Sequence, residues 1–178
     1  MSPETRIAGG PDDSPGFLLW RLTLRWQRAL TDVLAPLELT HVQFVLLACT
    51  WWLGEQGERP HQVAIAAQAG TDVRMTSEVL RRLEARGLVQ RVMDVRDTRA
   101  RVISVTSDGA ALARRAITVV DQADADFFAG VSPSFVSQMR RLAAYTRAAG
   151  PATAGAGQHA PHPAASQVAP LGAASHEA

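Results

Sequence analysis

The chain has 178 residues and a formal net charge of +1, and 47% of its residues are hydrophobic. This length and apolar content suit one medium-sized domain, and the apolar runs are far shorter than the roughly 20 residues that a bilayer crossing needs. The first residues also lack the pattern of an export signal, so we expect a cytoplasmic protein and no membrane partner.

The two ends of the chain differ in composition from the part between them. Residues 150–178 are almost entirely small, polar or proline residues, and Glu177 is their one formally charged side chain. Such a segment buries too little apolar surface to offset the entropy lost on ordering its backbone. We therefore expect a disordered arm over residues 1–14, a folded domain over residues 15–149, and a disordered tail over residues 150–178.

Two helices are predicted at the start of the domain. Apolar residues at helical spacing predict the first over residues 17–35. The second is predicted to run from a cap at Thr40, with Gln43 in its first turn, to Leu53, and to end with Gly54 in the left-handed conformation. The predicted core face of the second helix consists of Val42, Val45, Leu46, Cys49 and Leu53.

Two shorter helices around a tight turn are predicted next. The third opens with Pro60 and is broken by Gly70. The fourth is capped by Thr71 or Asp72 and ends at Gly87. Its buried stripe is predicted to consist of Thr76, Val79, Leu80 and Leu83.

The pattern then changes from helix to strand. Residues 88–93 and 101–106 are rich in Val and Ile, which favour strands, so a hairpin is predicted with residues 94–100 as its connection. Two long helices, capped at Thr106 and at Ser132, complete the predicted elements.

This order of elements predicts a mainly α fold with a small β-hairpin wing, a winged helix-turn-helix in which the last helix of the pair enters the DNA major groove. Between Thr71 and Arg101 eight arginines oppose five acidic residues, a net +3. Arginine bonds both guanine and phosphate. The predicted DNA contacts are Arg74, Met75, Ser77, Glu78, Arg81 and Arg82 on the helix and Arg96, Asp97, Arg99 and Arg101 on the hairpin. On charge alone, an ordinary solvated helix face is an equal alternative.

The chain resembles the MarR family of bacterial transcription regulators over about residues 17–149. The resemblance depends on Leu37, Leu39, Thr40, Gln43 and Leu47, on residues 75–89, and on residues 94–101 followed by 105–109. It implies a homodimer on a pseudo-palindromic operator, often acting as a repressor. It also implies a DNA-binding lobe at about residues 40–106, dimerisation helices at about 15–36 and 107–149, and Arg99 as the wing-tip arginine with Asp97 as its partner. His61 departs from the family, which often has Ser or Thr there.

Members of this family commonly bind small aromatic acids in a cleft between the dimer helices and the DNA-binding lobe. The resemblance therefore implies a ligand site drawn from Trp20, Arg21, His41, Phe44, Trp51 and Trp52. Aromatic residues at helical spacing are also typical of core or dimer contacts, so both interpretations stay open. Cys49, the only cysteine, is interpreted as inert packing rather than as an oxidation sensor.

The sequence supports two other classes of function less well. A winged helix used only for protein interaction would offer Asp121, Asp124 and Asp126 as a partner surface. An enzyme is not expected, since the sequence has no nucleophile with a base, metal-ligand spacing or glycine-rich phosphate loop, and we expect no cofactor and no metal. We also expect no metal to be bound by the histidines of the tail, which are His159, His162 and His176.

Overall fold

The computed structural model describes residues 10–94 and 101–148. Within them the helices are α1 (Pro15–Leu34), α2 (His41–Glu55), α3 (Gln62–Ala69), α4 (Val73–Ala85), α5 (Ser107–Phe127) and α6 (Pro133–Ala148), and the strands are β1 (Val89–Met93) and β2 (Arg101–Val105). Short 3-10 helices at Pro11–Asp13 and Ala35–Leu37 flank α1. The chain divides into two compact units, one up to Gly130 and one from Val131. The order predicted from the sequence, mainly α with one small hairpin, is confirmed.

The core of the first unit lies where α1, α2, α4, α5 and the hairpin converge. Only the C-terminal half of α1 reaches it: Leu30 and Leu34 are buried, whereas Leu19 and Trp20 are 60% and 56% exposed. The apolar spacing of α1 continues along the whole helix, so its first half presents an apolar face to the surface of this single chain.

The predicted core face of α2 is confirmed except at Val45, and it is incomplete. Val42 and Cys49 are half-buried and pack against the core, whereas Val45 is half-buried without doing so. The helix is apolar around most of its circumference, so periodicity alone does not select the inner face. The hydroxyl of Thr50 donates to the carbonyl of Leu46 at 2.7 Å, and this bond lets a polar side chain be buried. The buried residues are Leu46, Leu47, Thr50 and Leu53.

The predicted start of α2 is confirmed and its predicted end is wrong. Thr40 Oγ1 accepts from the Gln43 amide at 3.3 Å, and Gln43 Oε1 accepts from the Thr40 amide at 3.0 Å, which is a reciprocal capping box. The helix continues through Gly54 to Glu55, and Gly57 takes the left-handed conformation instead, with φ of 77°.

Two further local predictions are corrected. Pro60 does not open α3, which begins at Gln62 after His61. The Pro60 carbonyl instead accepts from the Ile103 amide of β2 at 2.9 Å, so the hairpin edge holds this residue outside the helix. In the expected disordered arm, residues 11–13 form a 3-10 turn, and Asp12 pairs with Arg21 of α1 at 2.7 Å.

The hairpin and the start of α5 agree with the prediction. β1 and β2 pair antiparallel, with Val89 opposite Val105. Thr106 Oγ1 accepts from the Gly109 amide at 3.0 Å and donates to the Gly87 carbonyl at 2.7 Å. The cap of α5 is therefore also fixed to the end of the helix-turn-helix.

The second unit contains α6, the predicted last helix. Its apolar side chains recur at helical spacing and are exposed, including Val136 at 46%, Met139 at 40% and Tyr145 at 72%. No single helix among the described residues is long and apolar enough to cross a bilayer, and α1 and α2 satisfy that test only jointly, across a bend of 74°.

Candidate nucleic-acid interface

The turn between α3 and α4 is fixed by side-chain hydrogen bonds. Gln62 Nε2 donates to the Val73 carbonyl at 3.0 Å. The Thr76 hydroxyl donates to the Asp72 carbonyl at 2.8 Å and lies 2.9 Å from the Thr71 hydroxyl, which must therefore be the donor of that second bond. These bonds set the angle at which α4 leaves the turn.

The start of α4 is capped by Asp72, one of the two residues that the sequence offered. Asp72 Oδ1 accepts from the amides of Arg74 and Met75 at 2.8 and 3.0 Å. Gly70, with φ of 65°, ends α3 just before it. Glycine adopts this left-handed conformation without strain, whereas a residue with a Cβ atom would incur a steric penalty.

The predicted buried stripe of α4 is confirmed, and the opposite side forms an exposed surface that we call the recognition face. It consists of Arg74, Met75, Glu78, Arg81 and Arg82, with Ser77 half-buried at its edge. Arg82 pairs with Glu78 one turn away. Arg74 and Arg81 form no ion pair with any other described residue, so their guanidinium groups are available to an anion.

The net charge counted along the sequence overstates the charge that this surface offers. Arg91 lies 3.4 Å from a Glu84 carboxylate oxygen and is mostly buried. Arg86 Nη1 donates to the Glu38 carbonyl at 2.7 Å. Both arginines therefore tie α4 and β1 to the rest of the fold and are poorly placed for DNA.

The hairpin contributes Arg101, which is exposed and has no acidic partner within the described part of the chain. Arg96, Asp97 and Arg99 lie outside the described residues, and their DNA contacts stay a prediction. Arg101 begins β2 opposite Met93, at the root of the hairpin.

A cluster at the root of the hairpin, here called the neck, was not found from the sequence. It consists of Arg59, His61, Asp94 and the Arg101 carbonyl. The side chain of Asp94 is 10% exposed, with Oδ1 3.8 Å from Arg59 Nη2 and Oδ2 3.5 Å from His61 Nε2. Two features of the sequence could have indicated it: the histidine before α3, where the family often has Ser or Thr, and a carboxylate directly after a strand.

Three of the ligand candidates contact other parts of the first unit. Trp20 contacts Phe17 with the two rings tilted by 38° and their centroids 5.6 Å apart, and Arg21 pairs with Asp12. Phe44 packs against the core.

His41 lies at a junction between α1, α2 and α5. Its ring meets Trp26 edge-on, with centroids 5.0 Å apart, and Trp26 Nε1 donates to Asp124 Oδ1 at 2.7 Å. Burial lowers the pKa of His41, and the nearby Asp124 carboxylate offsets part of that shift. Asp124 is thus committed to an internal contact.

Trp51 and Trp52 line one cavity of about 320 Å³ together with Ala48, Cys49, Gln68 and Ile117, which belong to α2, α3 and α5. The Trp51 indole N–H is buried and has no hydrogen-bond partner among the described residues. Burial raises the pKa of the Cys49 thiol, which keeps it protonated and unreactive. Among the described residues, no cluster of His, Cys, Asp and Glu is placed to hold a metal ion.

Comparisons with known proteins agree on one family. A model of the MarR family matches residues 39–100. The HTH-type transcriptional regulator YdcH of Bacillus subtilis is 38% identical over 135 residues, covering 75% of this chain and 92% of its own length. The HTH-type transcriptional repressor Rv2887 of Mycobacterium tuberculosis is 32% identical over 135 residues, covering 75% and 94%. The crystal structure of CouR from Rhodococcus jostii bound to p-coumaroyl-CoA superposes with a TM-score of 0.69 at 32% identity, covering 76% and 93%.

Proposed function

Because the chain belongs to the MarR family of transcriptional regulators, we propose that it is a repressor that binds a pseudo-palindromic operator as a homodimer and is released by a small aromatic ligand. In this proposal α4 lies in the major groove and the hairpin follows the DNA backbone. It acts where the bacterial chromosome lies, in the cytoplasm, and performs no catalysis.

The observation that carries the proposal is the recognition face. Arg74 and Arg81 project from the exposed side of the second helix of a helix-turn-helix, and no carboxylate of the described residues pairs with them. Guanidinium groups in such a position bond guanine O6 and N7 or phosphate oxygens. Met75, 41% exposed beside them, suits contact with a thymine methyl group. Glu78 pairs with Arg82, which limits its repulsion of phosphate.

Dimerisation is supported by the apolar surface that this single chain leaves open. Large side chains on the first half of α1 and along α6 are exposed, and a groove of about 760 Å³ between α1 and α5 has an apolar floor that includes Val33 and Phe127. A second copy offers the same surfaces, so a two-fold contact covers both at once. It also presents two recognition helices to major grooves about 34 Å apart, one helical turn of DNA.

Ligand release is supported by the cavity that contains Trp51 and Trp52. Its volume is near the lower end of the range for small-molecule sites, about 300 Å³, which suits a single flat ring system. The lining is almost wholly apolar, which suits the faces of such a ring. The p-coumaroyl-CoA bound to CouR carries such an aromatic acyl group. Because the cavity joins α2 and α3 to α5, a ligand there bears on the orientation of the helix-turn-helix.

The proposal is tested by gel-shift titration of the purified protein against DNA from upstream of its own gene. Arg81→Ala is expected to weaken binding, and Arg114→Ala, which removes an exposed arginine on α5, is the matched control. If Arg81 contacts a phosphate, its removal lowers the slope of log K against log salt by about 0.9. Arg99→Ala tests the predicted wing-tip contact in the same way.

Three outcomes have different meanings. Weaker binding by Arg81→Ala alone supports the recognition face. An equal loss of DNA affinity in Arg81→Ala and Arg114→Ala would mean that binding depends only on the net charge of the protein. Absence of any salt-sensitive binding to duplex DNA refutes the proposal. It would favour the alternative, in which the winged helix binds only other proteins.

For the ligand, quenching of tryptophan fluorescence by p-coumarate is compared in the native chain and in Trp52→Ala, with Trp20→Ala as control. Loss of the response in Trp52→Ala alone supports this cavity. An unchanged response in Trp52→Ala excludes it as the p-coumarate site.

A further inference from the structure

His61 joins both strands of the hairpin at its root. Its Nδ1 lies 3.0 Å from the carbonyl oxygen of Arg101, where β2 begins. Its Nε2 lies 3.5 Å from Asp94 Oδ2, directly after β1 ends. The preceding residue, Pro60, accepts a hydrogen bond from the Ile103 amide at 2.9 Å. The entry to α3 is therefore fastened to the hairpin on both sides of residues 95–100.

The geometry fixes which nitrogen of the ring gains a proton. A carbonyl oxygen only accepts hydrogen bonds, so Nδ1 must carry the hydrogen in its contact with Arg101. In the neutral ring, Nε2 then carries a lone pair in place of a hydrogen, and its approach to the Asp94 carboxylate at 3.5 Å is repulsive. In the protonated ring, Nε2 carries a hydrogen and the same approach becomes an ion pair. Protonation thus converts one side of the neck from repulsion to attraction.

The other charges around the ring do not reverse this sign. Among the described residues, the charged groups of the neck are Asp94, Arg59 and the exposed side chain of Arg101. Arg59 opposes a second positive charge, but it faces Oδ1 of Asp94 at 3.8 Å, whereas His61 faces Oδ2. The N-terminus of α3 also disfavours a cation at His61. Solvent screens the repulsion between the two exposed groups, Arg59 and His61, more than it screens the attraction of either to the almost buried carboxylate of Asp94.

We propose that His61 is a positioning residue for the hairpin, and that its protonation fastens the hairpin to the helix-turn-helix and strengthens DNA binding. This inference depends on the proposed function, because the hairpin is the element that follows the DNA backbone. Operator affinity is then highest at acidic pH and decreases as the pH rises.

The test is the operator affinity of the full chain between about pH 5.5 and pH 8, compared between the native protein and His61→Gln. Glutamine keeps a neutral donor for the Arg101 carbonyl but gains no proton. The native affinity is expected to fall by about two- to five-fold more than that of His61→Gln across this range, which is the size of a partly exposed ion pair. His41→Gln is the control for the other histidine of the described residues, and it should leave the difference intact.

A parallel pH dependence in the native protein and His61→Gln overturns the inference. Asp94→Asn supplies a second check, because without the carboxylate the substitution His61→Gln should no longer alter the pH dependence. If Asp94→Asn does not fold, the comparison of pH dependence between the native chain and His61→Gln is by itself sufficient to test the inference.

A readout without DNA separates this inference from the proposed function. The amide of Ile103 reports directly on the fastening of β2 to Pro60. After correction for intrinsic exchange, its hydrogen-exchange protection is expected to be about two- to five-fold greater at pH 5.5 than at pH 7.5 in the native chain, and equal at both in His61→Gln. If the protein shows this protection pattern but binds no DNA, the proposed function is rejected and the pH-dependent fastening of the hairpin by His61 is supported. DNA binding with no difference in protection rejects the role of His61.

Discussion

Substitution of Gly109 by alanine tests how closely α5 approaches the end of the helix-turn-helix. Gly109 is buried in the first turn of α5. A Cβ atom built there overlaps the carbonyl oxygen of Leu88 and lies 2.8 Å from its carbonyl carbon. Because the obstacle is backbone, no change of rotamer relieves it, and α5 or the segment before β1 must move. The Leu88 carbonyl also accepts from the Thr106 amide at 3.1 Å, so the movement weakens the cap of α5.

The expected size of the effect follows from three contributions. Overpacking of a tight site costs about 1 to 3 kcal/mol, and the upper end applies where backbone must shift. A weakened hydrogen bond costs about 1 kcal/mol more. Alanine recovers about 1 kcal/mol through its higher helix propensity. We therefore expect Gly109→Ala to lower the free energy of unfolding by about 3 kcal/mol.

The assay is urea denaturation followed by circular dichroism, with Gly54→Ala as the matched control. Gly54 is also within a helix, but no atom lies within 4 Å of its added Cβ, so alanine should stabilise the protein by about 0.5 to 1 kcal/mol. The two variants are thus expected to have effects of opposite sign. If Gly109→Ala is as stable as Gly54→Ala, the close approach of α5 to Leu88 is refuted.

Three more predictions follow from single residues. Asp72→Ala removes the cap of α4 and should cost about 1 kcal/mol of stability in thermal melts, whereas Asp72→Ser should retain most of it; equal melting temperatures for both variants would contradict the cap. Because the folded state lowers the pKa of His41, the unfolded chain binds more protons, so the contribution of His41 to stability is present above about pH 6.5 and is lost as the pH falls through the lower, folded-state value. The free energy of unfolding, measured by urea denaturation at several pH values, should therefore rise less steeply with pH in His41→Gln than in the native protein. An unchanged pH dependence would refute the burial of that ring. Iodoacetamide should alkylate Cys49 much more slowly in the native than in the unfolded protein, since burial raises its pKa; similar rates would mean that the thiol is accessible.

Local chemistry explains which elements could be predicted from the sequence. The capping box at Thr40, the cap at Thr106 and the strand preference of Val89 and Val105 act over a few residues, so the sequence displays them directly. The buried stripe of α4 was equally clear, because that helix has one apolar side and one charged side. Periodicity failed on α2, where nearly every side is apolar and only its neighbours decide that Leu47 and Thr50 point inward.

The sequence by itself determined the order of the elements, the exposed face of α4, and the family, because each depends on side chains a few positions apart. The tertiary structure decided which of the nearby arginines are engaged inside the fold, since the carboxylate of Glu84 contacts Arg91 and the carbonyl of Glu38 accepts from Arg86. It also decided that His61 and Asp94, 33 positions apart, meet at the neck. Electrostatic interactions depend on distance in space, and chain folding sets that distance.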